Sequence, residues 1–167
     1  VAALSQAAAT ADWVIATGGL GPTEDDLTRA ALAELLGAPL QPHAPSLEHI
    51  EAFFRRLDRP MPATNRVQAL CPAGADMLAN PRGTAPGLRA RVGRATIVAL
   101  PGVPHEMKAM VALHVEPCLR AAAGRVIRTL ALRTFGRGEG EIGERLADLM
   151  RRGENPTVGT TVTDGIV

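Results

Sequence analysis

Short apolar runs, each closed by glycine or proline, set the rhythm of this 167-residue chain. Asp12-Trp13-Val14-Ile15-Ala16-Thr17 predicts a short buried strand, since a brief apolar run bounded by turn residues fits a strand better than a helix. Ala95-Thr96-Ile97-Val98-Ala99-Leu100 predicts another, the clearest in the chain. Val1 to Thr10 carries the Ala- and Leu-rich pattern of the last turns of a helix. After the first strand comes a glycine cluster, Gly18-Gly19-Leu20-Gly21-Pro22, and then a helix that Thr23 would cap. It runs to about Leu36, where Gly37 supplies a stop. Pro42 and Pro45 precede an amphipathic helix from about Ser46 to Leu57. Residues 59–93 are proline-rich and loop-like, with a short strand at Asp76-Met77-Leu78. Pro101-Gly102-Val103-Pro104 then turns the second clear strand into a helix from His105 to Ala122.

Repeated strand–loop–helix units predict an α/β fold with a mostly parallel sheet and helices on both faces. Beyond Gly124, Val126 to Thr134 alternates like a half-exposed strand, and Gly140 to Arg152 predicts a helix. The expected division is residues 1–123 and residues 124–167, the second being the front of another module. The chain opens inside a helical pattern and closes inside a β-like run, Thr160-Thr161-Val162, as a segment of a longer protein would.

Composition narrows the function. The core must be aliphatic, because 46% of residues are hydrophobic yet there are 29 Ala, 3 Phe, 1 Trp and no Tyr. With little to stack a base upon, recognition is expected to rest on backbone amides, carboxylates and a metal. A net charge of +1 argues against a general nucleic-acid binder. Lys108 is the sole lysine beside 17 Arg, a compositional bias rather than a binding signal. Two cysteines, Cys71 and Cys118, cannot make a disulfide framework and suit a reducing compartment. No apolar run is long enough to span a bilayer, and no secretory signal is recognisable. A cytoplasmic location without a membrane partner is expected.

Three loops could carry chemistry. In Thr17-Gly18-Gly19-Leu20-Gly21-Pro22-Thr23-Glu24-Asp25-Asp26, glycines after a strand let backbone approach a ligand. A following helix start favours anions. Glu24, Asp25 and Asp26 would repel a phosphate unless a Mg²⁺-like cation lay between them, which makes these three the candidate metal ligands. Thr23 to Asp26 also fits a plain capping box. Pro101-Gly102-Val103-Pro104-His105-Glu106 should emerge on the same sheet edge, where ligands of open α/β sheets bind. Glu106 there is either a metal or ribose contact or a first-turn acid. Asn80-Pro81-Arg82-Gly83-Thr84-Ala85-Pro86-Gly87 is semi-rigid and polar, suited to gripping substrate through Gly83 and Thr84, or else a surface connection. Asn65, in the same irregular region, would orient a sugar or phosphate. The four histidines include no i, i+4 pair, which argues against a zinc site.

Taken in order, T-G-G-L-G-P-T-E-D-D-L-T at 17–28, N-R-V-Q-A at 65–69, N-P-R-G-T-A-P-G at 80–87 and L-P-G-V-P-H-E-M at 100–107 resemble the molybdopterin-binding (MoaB/Mog-like) domain of the CinA family. F-G-R-G-E-G-E-I-G-E-R-L at 135–146 and N-P-T-V at 155–158 resemble that family's next, KH-type module, although Glu139, Glu141 and Glu144 speak against its nucleic-acid role. The resemblance implies a three-layer α/β sandwich with a partial α+β module at the C-terminus. It also implies metal-dependent hydrolysis of the pyrophosphate of ADP-ribose or a similar nucleotide. Asp26 matches the essential aspartate of Mog-like domains and is favoured over Asp25 as the catalytic and metal-holding residue. Gly18, Gly19, Gly21, Thr23, Asn65, Gly83, Thr84, Gly102 and Glu106 form the expected substrate site. The resemblance implies a domain that is N-terminally incomplete in this sequence, its opening strand and G-D-E-L-type motif expected ahead of Val1. Adenylyl transfer to molybdopterin, with a pterin as partner, and a non-catalytic binding or oligomerisation domain stay open as alternatives. The longer protein is expected to assemble with copies of itself.

Overall fold

The computed structural model describes residues 1–124, 127–162 and 166. They fall into two compact units, residues 1–124 and 125–167. In chain order the first unit holds α1 (Ala2–Thr10), β1 (Trp13–Thr17), α2 (Thr28–Leu36), β2 (Leu40–Pro42) and α3 (Ala44–Arg56). A 3₁₀ segment (Ala63–Ala69) leads to β3 (Leu70–Pro72), β4 (Asp76–Leu78), β5 (Gly87–Val92) and β6 (Ala95–Leu100). The unit ends with α4 (Pro104–Met110), a π-helical turn (Val111–Val115) and α5 (Glu116–Ala122).

Four strands form one sheet in the order β1-β6-β5-β4, while β2 and β3 make a separate antiparallel pair. β6 is buried at every position, and its alternation builds two cores. Ala95, Ile97 and Ala99 join Leu88 and Ala90 of β5, Ala8 of α1 and Leu32 of α2 on one face. Val98 and Leu100 meet Leu78, Met110 and Val115 on the other. The α/β sandwich expected from the sequence is thus present, its sheet buried on both sides by helices. Among the described residues, parallel pairing is confined to β1 and β6, whereas β5 pairs antiparallel with both β6 and β4.

That one parallel pair positions the site. Thr17 lies opposite Leu100 at the carboxyl ends of β1 and β6, so the loops that follow leave the sheet side by side.

Several expectations are corrected. β1 is half-buried at the sheet edge, with Ile15 45% exposed. β5 was hidden in the supposed loop region, although Leu88, Ala90 and Val92 alternate with Arg89 and Arg91. Gly93, at φ 58°, turns it into β6. The helix expected from Thr23 begins only at Thr28, and its cap position is Leu27 without a side-chain bond. The helix expected over 105–122 is interrupted by the π turn. Pro117 lacks an N–H and crowds the preceding turn, which the wider turn absorbs.

The second unit contains α6 (Glu139–Leu146), shorter than expected and carrying Glu141 between Arg137 and Arg145. Residues 127–134 form no strand, and Ile127 and Leu130 are exposed. Val126 lies outside the described residues. Thr160 to Val162 likewise form no strand, and Phe135 makes an isolated bridge with Ile166. Among the described residues no helix is long and apolar enough to cross a membrane.

Candidate functional site

A cleft of about 390 Å³ opens where the loops after β1 and β6 meet. Gly18 to Pro22 and Asp26 form one wall, and Pro101, Gly102, Val103 and Glu106 form another. Thr84 and Ala85 come from the 80–87 loop, and Gln68 from the 3₁₀ segment.

The glycine loop is held from behind. Gly18 and Gly19 have φ of 92° and 69°, a conformation that favours glycine. The Gly18 amide donates to Leu100 O at 2.9 Å, so Gly18 contributes space rather than a donor. Thr28 ties α2 to the loop twice: its amide donates to Gly19 O at 3.0 Å and its hydroxyl to Gly18 O at 2.8 Å. Those bonds fix where the helix begins. Arg29, 2% exposed, donates through Nη2 to Leu20 O at 2.9 Å. Its Nε is buried without a partner. Burial pulls the guanidinium below its ordinary value, while Asp26 and Cys71 oppose this. The amides of Gly19 and Leu20 make no internal backbone bond among the described residues. Gly102 lies so close that a Cβ there would sit 3.3 Å from Gly18 Cα.

Asp26 folds back on the loop. Its Oδ2 accepts from the Thr23 amide at 3.0 Å and the Thr23 hydroxyl at 2.6 Å. This is the reaching-back half of a capping box, closed within a turn instead of onto a helix. A Cβ on Gly21 would overlap the same carboxylate. The Thr23 hydroxyl is the main reason that Asp26 lies below its ordinary carboxyl range; burial opposes it, and the amides of Thr23 and Gly21 and the charge of Arg29 assist. Asp25 Oδ1 also stands 2.5 Å from the Thr23 hydroxyl. One hydroxyl proton therefore faces two carboxylates. Thr23, Glu24 and Asp25 sit on the exposed outer side of this turn and do not line the cleft.

Across the cleft, Glu106 Oε2 accepts from Asn80 Nδ2 at 2.6 Å. Asn80 is 1% exposed, and its Oδ1 accepts from the amides of Arg82 and Gly83 at 2.9 and 3.0 Å. A Cβ on Gly83 would overlap the Glu106 carboxylate. Gly83 thus stands behind Glu106, and Thr84 reaches the cleft. Asn65 is buried and away from the cleft wall, where its Nδ2 donates to Gln68 Oε1 at 2.9 Å.

Sequence reasoning missed Gln68, Asn80 and Arg29. All three are polar and almost fully buried, a property with no mark in local sequence. Asn80 alone carried a signal, since Asn before Pro-x-Gly suits a side chain that bonds the amides two and three residues on. Cys71 is buried, which raises its thiol above the ordinary value, the opposite of what an activated nucleophile needs. Among the described residues, no three His, Cys, Asp or Glu side chains converge as a metal cage.

Comparison with known proteins agrees with this architecture. A family model described as "Probable molybdopterin binding domain" matches residues 1–121. A CinA-like protein of Desulfovibrio desulfuricans is 43% identical over 165 residues, 98% of this chain and 38% of its own length. One of Geobacter metallireducens is 43% identical over 167 residues, covering 99% of this chain and 40% of the relative. The crystal structure of the protein CinA from Thermoplasma acidophilum, described as of unknown function, matches with a TM-score of 0.60 and 34% identity. That match covers 66% of this chain and 65% of the other. The chain therefore spans about two fifths of the length of these curated relatives. With the domain match running through both loops of the cleft, and CinA-like relatives aligned along nearly all its residues, the chain belongs to the CinA-like branch of the molybdopterin-binding domain family.

Proposed function

We propose that this domain binds the pyrophosphate of ADP-ribose or a similar nucleotide, and that in the longer protein it serves metal-dependent hydrolysis of that pyrophosphate. One observation carries the proposal: Asp26, from the turn after the glycine loop, and Glu106, from the first turn of α4, line the same cleft as that loop. Two carboxylates alone would repel a pyrophosphate, and a divalent cation between them would attract it. The donor set fits a Mg²⁺-like ion shared with phosphate oxygens, since such an ion needs only one or two carboxylates from the protein. Asp26 and Glu106 would hold it, whereas Asp25 and Glu24, on the outer side of the turn, do not line the cleft. When bound, the cation supplies charge neutralisation to the phosphate oxygens.

The remaining work falls to the chain itself. The amides of Gly19 and Leu20 donate to phosphate oxygens, and the Thr84 hydroxyl adds a neutral donor. The absence of side chains at Gly18, Gly19 and Gly102 lets the ligand approach the backbone. Water oxygen joins one phosphorus, the bridging P–O bond breaks, and two phosphomonoesters leave, AMP and ribose 5-phosphate. The choice of ADP-ribose follows membership of the CinA-like branch. Two free thiols suit work in a reducing cytoplasm.

The family's description favours a second reading, in which the same cleft takes a pterin and the longer protein transfers an adenylyl group to molybdopterin. One preparation tests both. AMP release from ADP-ribose with Mg²⁺, lost in Asp26→Asn, supports hydrolysis. An adenylated pterin formed from ATP and molybdopterin supports transfer. If calorimetry detects neither ADP-ribose nor pterin, the domain is a non-catalytic module.

A further inference from the structure

Gln68 stands in the cleft wall with half of its amide unspent. The residue is 2% exposed, yet it lines the cleft with the glycine loop, Asp26 and Glu106. Its Oε1 accepts from Asn65 Nδ2 at 2.9 Å. Its Nε2 has no hydrogen-bond partner among the described residues. Nor is that nitrogen sealed inside the protein, because among the described residues only Arg29 has a side-chain polar atom both sealed and unpartnered.

A buried donor without a partner costs stability, and a Leu or Met of similar size would fill the wall without that cost. Asn65 spends its own amide on holding Gln68, so two buried polar side chains serve to aim one N–H group. The donor is neutral. Phosphate oxygens are served by the glycine-loop amides and, in the function proposed above, by a cation. What they leave unread is the uncharged part of a ligand.

We propose that Gln68 is a specificity-determining residue of this cleft: its Nε2 donates to a neutral acceptor adjoining the phosphates, a sugar hydroxyl or a ring nitrogen or carbonyl of the heterocycle. Asn65 is the positioning residue that holds the amide in register. This inference rests on the phosphate-binding function proposed above. A site built around a hydrogen bond rejects ligands that lack its partner, because the buried donor is then left unpaired.

The test is calorimetry on the whole chain with Mg²⁺, using ADP-ribose, AMP, ribose 5-phosphate and inorganic pyrophosphate. Gln68→Met removes the donor and keeps the volume. Gln68→Glu removes the donor and keeps an acceptor for Asn65, so it covers the case in which the Met variant fails to fold. Both variants should weaken ADP-ribose by about tenfold or more and leave Gln68→Met binding of pyrophosphate, which has no neutral part, within about twofold. A matching loss on AMP alone assigns the acceptor to the adenosine half of the ligand, and one on ribose 5-phosphate alone assigns it to the terminal ribose. Unchanged ADP-ribose binding in Gln68→Met overturns the role of Gln68 and leaves the proposed function standing. An equal loss on pyrophosphate in that variant does the same. Failure of the unaltered chain to bind ADP-ribose overturns both.

Discussion

Asn80 Nδ2 donates to Glu106 Oε2 across 2.6 Å, tying the 80–87 loop to the first turn of α4. The same nitrogen donates to Ala85 O at 3.0 Å, and Oδ1 holds the amides of Arg82 and Gly83. Four bonds thus converge on one buried side chain. At about 1 kcal/mol net for each, Asn80→Ala should lower stability by about 3–4 kcal/mol, read as a lower urea midpoint at unchanged slope. Asn80→Asp should do no better, because it sets a second carboxylate against Glu106. A loss well under 1 kcal/mol in Asn80→Ala would show that the loop holds its shape without this hub.

Gly83 is shaped by the same carboxylate. A Cβ there would overlap Glu106, so Gly83→Ala must push the acid out of place or distort the loop. The expected cost is about 1–3 kcal/mol. A double-mutant cycle isolates the cause: in a Glu106→Ala background the Gly83→Ala cost should shrink by more than half. Strict additivity would place the strain elsewhere.

How much of this was legible in the sequence depends on how local each signal is. The runs Trp13 to Thr17 and Ala95 to Leu100, each followed by a glycine-containing turn, announced strand, loop and shared sheet edge, because apolar runs and turn chemistry are written in adjacent residues. β5 was overlooked for a different reason: Leu88, Ala90 and Val92 do alternate with Arg89 and Arg91, but Pro86 and Gly87 at its start and Gly93 at its end mark the stretch as loop. Asp26 and Glu106 were each named, but their meeting in one cleft depends on β1 and β6 pairing in parallel across 80 residues. Thr23 misled because a cap and a closed turn use the same residue types. Which one forms is decided outside the motif, by the bond that spans ten residues from Thr28 to Gly18.

That bond gives a further prediction. Thr28→Val keeps the branched shape and removes the hydroxyl that donates to Gly18 O. Stability should fall by about 1 kcal/mol, and ligand affinity should fall with it, since the loop loses a tether directly behind the cleft. Chemical denaturation and calorimetry on the same variant check both. A stability loss with affinity intact would mean that Gly18 and Gly19 keep their conformation without Thr28.

The last prediction concerns acid. The Thr23 hydroxyl, helped by the amides of Thr23 and Gly21 and by Arg29, holds the Asp26 carboxyl below its ordinary value of 3.8 against the opposing effect of burial. A carboxyl depressed on folding stabilises the fold in its ionised form. Its contribution is present above the unfolded value and is lost as the pH falls through the lower, folded value. The stability difference between the unaltered chain and Asp26→Asn should therefore stay flat near neutral pH and narrow once the pH drops below about 4. Thr23→Val removes the largest cause, so it should move the Asp26 titration, followed by carboxyl-carbon NMR, upward toward the ordinary value. It should also flatten the acid-side loss. An Asp26 midpoint at or above the ordinary value in the unaltered chain would show that this carboxylate is not held by the turn, and its place in the cleft would then need another cause.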